Sequence, residues 1–148
     1  MRRIFIATAT TLGVFAAVGL PTAGAAPKGQ HITRTLLGGA VSTNENVYDV
    51  RGPGGYSGAG VQFVKLNSTG TAGTDRVTLF DGKGTILSTD KFTVGKPDAH
   101  GIATVKGTGH SLSGTGIYQH VNETYSFTGT VNTKNGQSKF TLSGTLAL

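Results

Sequence analysis

Asp90 is the residue whose setting most demands a chemical explanation. In the run Thr85–Val94 it alternates onto one face with Ile86, Ser88, Phe92 and Val94, so it sits on a largely apolar side. Burying an unpaired carboxylate costs several kcal/mol unless its pKa rises or a partner is close. Two readings follow. Asp90 either lies wet at the mouth of the fold, or beyond a bulge, beside Lys91, or it is one of a few polar groups in an apolar interior. A second concentration of chemistry lies in Ile117–Val131. If Asn122-Glu123 forms a two-residue hairpin loop, then Tyr118, His120, Tyr125 and Phe127 share one face, because cross-strand partners point the same way. Such a wall is either core with polar tips at its edge or a ligand-facing surface, since Tyr and His combine flat apolar bodies with proton-handling ends. If the wall and Asp90 face one another, Tyr118, Tyr125 and Phe127 hold a ligand and Asp90 or His120 donates the proton of any reaction.

Other motifs give little. Gly109-His110-Ser111-Leu112-Ser113 falls one residue short of a nucleophile elbow, and no strand-to-helix turn accompanies it. Gly107-Thr108-Gly109 lacks the third glycine and the lysine of a phosphate loop. His31, His100, His110 and His120 form no close ligand pair and there is no cysteine, so neither a metal nor another cofactor is expected. The seven acidic residues lie mostly beside turns and give a glycosidase pair no support. Asn67-Ser68-Thr69 and Asn122-Glu123-Thr124 match the glycosylation acceptor pattern.

The elements that must position these groups are strands. Glycine accounts for 24 of 148 residues, which disfavours a helical bundle because each interior helical glycine costs about 1 kcal/mol. Strands are expected at Ile32–Leu37, Val61–Leu66, Arg76–Phe80, Thr85–Val94, Ile102–Val105, Ile117–Val121, Thr124–Val131 and Phe140–Leu148, with Asn44–Val50 either a strand or a loop. Between them lie turn signals: 51–55, Asp81-Gly82, 95–101, a glycine-rich stretch after Val105, and Asn135-Gly136, which reads as a type I′ hairpin. Eight or nine strands with this spacing argue an all-β domain, a sandwich or an up-and-down barrel.

Residues 1–25 read as a cleaved secretory signal: Arg2 and Arg3, an apolar run from Ile4 to Leu20, then Ala23-Gly24-Ala25 before a mature start near Ala26. The body, 26–148, is then one domain with 26–44 its least defined part. An extracellular location is expected, with no stable membrane span once the leader is removed. Without Arg2 and Arg3, 11 basic residues face 7 acidic ones, a net charge of +4. The lysines are scattered singly, without interleaved aromatics, which argues against nucleic acid as a partner.

Glu45-Asn46-Val47-Tyr48-Asp49, Gly60 opening a strand, the extended Gly84–Val94, and Ala103-Thr104-Val105-Lys106-Gly107-Thr108-Gly109 leading to Gly114-Thr115-Gly116 resemble the allene oxide cyclase/dirigent barrel superfamily. The last run is similar to that family's V-x-G-G-T-G-x-aromatic-x-G-x-x-G signature, with Lys106 in place of the first glycine and Ser111 or Leu112 in place of the aromatic. The resemblance implies an antiparallel eight-stranded barrel with an apolar lumen, often oligomeric. Its members cyclise or couple small molecules largely by holding them in shape. The plant cyclases' carboxylate on the first barrel strand has no counterpart, since Ile32–Leu37 contains no acid. Three functions remain open: a secreted, isomerase-like barrel that directs cyclisation or coupling of an apolar small molecule, a non-catalytic carrier barrel, and a structural or surface-interaction domain with a filled core.

Overall fold

In the structure, a computed structural model that describes residues 29–148, eight antiparallel strands close into a barrel. They are β1 (Gln30–Ala40), β2 (Glu45–Arg51), β3 (Ser57–Leu66), β4 (Ala72–Asp81), β5 (Gly84–Val94), β6 (Ile102–Gly114), β7 (Asn122–Asn132) and β8 (Gln137–Ala147). Each pairs with its neighbour in sequence, and β1 pairs with β8 to close the ring. The proposed leader and the Ala26 start lie outside the described residues. No helix among the described residues is long and apolar enough to cross a membrane.

Period-two alternation decides what fills the lumen. Between β4 and β5 the inward rungs are Leu79–Ile86, Val77–Ser88, Asp75–Asp90 and Gly73–Phe92. Leu36, Val50 and Leu142 complete the aliphatic band, and Tyr48, Tyr125, Phe127 and Phe140 add rings. Those rings explain much of the glycine. Tyr48 lies between Gly38 and Gly60, Phe92 between Gly73 and Gly107, and Tyr125 between Gly109 and Gly144. Each ring folds over a partner without a side chain, as aromatic rescue of strand glycine requires. A Cβ at Gly109 would lie 2.0 Å from Asp90 Oδ1 and 2.6 Å from the Tyr125 ring.

Three local expectations are corrected by this packing. The glycine-rich stretch after Val105 is no loop but the interior of β6, its glycines facing Phe92, Tyr125 and Phe127. Ile117–Val121 is no strand: Gly116–Tyr118 is a 3-10 turn, and β7, beginning at Asn122, pairs instead with β6, Tyr125 opposite Gly109. Asn122-Glu123 is therefore strand rather than hairpin loop. Asn135-Gly136 does join the last two strands, with Gly136 at φ 74°, but no non-glycine residue among those described has positive φ, so the turn is not type I′. The Gly136 N–H instead bonds Asn132 O across four residues. Near the end of β6 the register slips opposite Leu87 and Ser88, leaving Leu112 unpaired and 48% exposed, a β-bulge.

Candidate functional site

Hairpin loops at one end of the barrel surround an apolar mouth of about 300 Å3, walled by Val64, Phe92, Val94, Ala103, Val105, Phe127, Val131 and Phe140. Polar groups on this wall include Asn46, Tyr48, Gln62 and Ser138. Tyr48 Oη donates to Gln62 Oε1 at 2.6 Å, and Asn46 Nδ2 donates to the same oxygen at 2.8 Å. Gln62 thus has its carbonyl occupied and turns its amide inward, where Nε2 donates to Asp75 Oδ2 at 2.6 Å.

Beneath that floor stands the Asp75–Asp90 rung. Both residues are buried, at 4% and 5% exposure, and no cation comes within ion-pair distance of either among the described residues. Tyr125 Oη donates to Asp90 Oδ1 at 2.6 Å. Asp75 Oδ1 is sealed from solvent without a donor, and the two carboxyls are near enough to hydrogen-bond one another if one holds a proton. Desolvation is the largest cause of the upward shift at both, to about 6 for Asp75 and about 8 for Asp90. The negative charge of Asp75 adds to the rise at Asp90. At neutral pH the pair therefore keeps a proton, held between the two carboxyls. Burial first, and the Asp90 charge second, also raise the Tyr125 hydroxyl. Tyr48 is pushed up to about 12, again chiefly by burial.

A void of about 20 Å3 is lined by Leu36, Val77, Leu79, Leu142, Asp90 and Tyr125, together with Tyr48, Gln62, Phe127 and Phe140. The last four also line the mouth. The void is the size of one water or one ligand atom. The site is thus two-storeyed: an apolar cavity above, and below it a small, mostly apolar void whose lining includes Asp90 but not Asp75.

Of the residues singled out from the sequence, Asp90, Tyr125 and Phe127 come together. The reading of Asp90 as a wet residue at the mouth is corrected by its burial on the lumen face of β5. Tyr118 and His120 do not join them. Tyr118 closes the opposite end, its hydroxyl donating to Asp81 Oδ2 at 2.5 Å, and His120 is exposed on the turn before β7. The four-residue wall required the Asn122-Glu123 hairpin, which does not form. Asp75, Gln62 and Tyr48 were missed. For Asp75 the signal was present: Gly73, Asp75, Val77 and Leu79 share one parity, but a strand begun at Arg76 cuts the acid off.

The near-elbow Ser111 lies within β6; its hydroxyl donates to Val121 O and accepts from Glu123 N. Among the described residues, no group of three or more His, Cys, Asp or Glu side chains converges as a metal site would. Comparison of the chain with protein-family models, with curated proteins and with solved structures finds no match for any part of it.

Proposed function

We propose that the barrel is an extracellular small-molecule protein that takes an apolar molecule into its mouth and directs its cyclisation or coupling by shape, as the resemblance to the allene oxide cyclase/dirigent superfamily implies. The observation that carries this reading is the apolar cavity of about 300 Å3 set directly above a void whose lining includes Asp90 and Tyr125. That volume is at the small end of ligand pockets, about 300–1,000 Å3, and the lining has their usual make-up of apolar walls with few polar groups. Confinement of one folded conformer supplies several kcal/mol to a ring closure. An oxygen of the ligand reaching the void would meet Asp90, which lines it, with Asp75 behind as the other half of the proton-holding pair. Through Asp90 the pair can lend a proton at one ligand atom and recover one from another, the balance an isomerisation needs.

A carrier function is the second reading, favoured by one observation: Asp90 does not line the mouth itself, and Tyr48 and Gln62 stand between. Native mass spectrometry of the protein purified from its own culture medium tests both. A small molecule should co-purify, and Val64→Trp, which fills the mouth, should remove it. Retention by Val64→Trp sinks the mouth as the binding site. Turnover that Asp90→Asn abolishes while binding persists marks the enzyme. Equal release of unchanged molecule from both proteins marks the carrier.

A further inference from the structure

The opposite end of the barrel holds a second cavity, of about 600 Å3, lined by Arg34, Tyr56, Asp81, Lys83 and Tyr118 among others. Nothing in the reading of the apolar mouth uses it. Its floor is unusual for so small a domain. Arg34, on the inward parity of β1, is 4% exposed and ion-paired with Glu123 of β7, itself 1% exposed. A buried ion pair seldom stabilises a fold more than apolar residues of the same volume would, so its presence calls for a role other than stability.

Guanidinium carries five N–H donors in one plane. One Arg34 nitrogen donates to Glu123 Oε1, and no other hydrogen bond from Arg34 forms among the described residues. Yet none of its nitrogens is sealed away without a partner. The uncommitted edge therefore opens toward the cavity that Arg34 lines. The Tyr56 ring lies 5.2 Å from the guanidinium carbon and covers one face of the plane. Held at one edge by a carboxylate and on one face by a ring, the fork is set before any ligand arrives, and little side-chain freedom remains to be lost on binding.

The remaining charges select the ligand. Glu123 stands behind Arg34 and is not part of the cavity lining. Asp81 is already engaged, accepting from the Tyr118 hydroxyl at 2.5 Å and from the backbone N–H groups of Lys83 at 2.8 Å and Gly84 at 3.0 Å. Lys83 adds a second cation to the wall, and Tyr56 and Tyr118 add two rings. A planar fork, a point charge and aromatic surface are the complement of a carboxylate on a flat body.

We propose that this cavity is a second binding site, for small aromatic or similarly planar carboxylates, with the carboxylate on the free edge of Arg34 and the body against Tyr56 and Tyr118. Titration of the protein with benzoate, benzamide and acetate, followed through backbone amide NMR shifts, tests it. Benzoate should shift Thr33, Gly55 and Lys83 with a Kd below about 1 mM and leave Val64 and Val105 of the other mouth unmoved. Benzamide, lacking the charge, and acetate, lacking the ring, should each bind at least about tenfold more weakly. Tyr56→Leu should weaken benzoate by about tenfold, and Arg34→Lys by at least as much, because lysine keeps the charge but not the fork. Equal affinity for benzamide, shifts confined to the other mouth, or unchanged benzoate affinity in Tyr56→Leu would each overturn the proposal. Should Arg34→Lys fail to fold, Tyr56→Leu decides it alone.

Discussion

The lumen buries three carboxyl groups and treats them in two ways. Glu123 faces Arg34; Asp75 and Asp90 face each other. Burial pushes all three pKa values up, but Glu123 has a cation pulling it back, whereas Asp90 has a second acid pushing it further. One end of the barrel thus stores separated charge and the other stores a proton. The same strand alternation placed all three acids inside. What distinguishes them is only which side chain the neighbouring strands bring within reach.

Breaking the ion pair is expected to have the largest effect. Arg34→Met should cost about 3–5 kcal/mol in urea unfolding, because Glu123 is left buried without its counter-charge. Arg34→Met combined with Glu123→Leu should recover most of that loss. If the double variant is no better than the single, the energy resides in packing and not in the stranded charge.

The acid pair should make the protein lose stability as pH rises. Its folded-state values lie above the ordinary unfolded value near 4, so between about pH 4 and pH 8 the folded chain holds more protons than the unfolded one. The contribution is full below pH 4 and is lost as pH climbs through the raised values, at up to about 1.4 kcal/mol per pH unit for each proton held. Melting followed from pH 5 to pH 9 should show the fall, and Asp90→Asn should flatten it, since an amide there can still accept from Tyr125 and donate to Asp75. A melting temperature that rises over this range would place the protons elsewhere.

Gly109→Ala probes the same pair by crowding. The new Cβ would press on Asp90 Oδ1 and the Tyr125 ring, at a cost of about 1–3 kcal/mol, and it should disturb the pH slope as well as the midpoint. Gly136→Val should cost more than about 1 kcal/mol through backbone strain at positive φ with the pH slope unchanged. The smallest effect is expected at His120. His120→Ala on its exposed turn should leave stability within about 0.5 kcal/mol and leave the binding of any co-purified molecule intact.

Strand parity was the legible part of this protein. Tyr125 and Phe127 inward, Asp90 among Ile86, Ser88 and Phe92, and the Asp81-Gly82 turn all follow from alternation and turn chemistry within a few residues. The sequence by itself determined an all-β chain of short antiparallel hairpins, and it placed one acid on an apolar face. Its glycines misled where they were read as breakers. In β6 they are strand residues whose missing side chains make room for rings from the neighbouring strands, a reason that exists only once strands are paired. Reading Asn122-Glu123 as a hairpin loop gathered Tyr118 and His120 onto one wall with Tyr125, whereas β7 begins at Asn122 and pairs with β6, and a strand begun at Arg76 left Asp75 outside β4. Only the closed barrel could set Asp75 against Asp90, Gln62 beneath Tyr48, and Arg34 beside Glu123, 89 residues away in the chain. Alternation says which face a side chain takes, but register between strands says what it meets there, and register is fixed by packing around the whole ring.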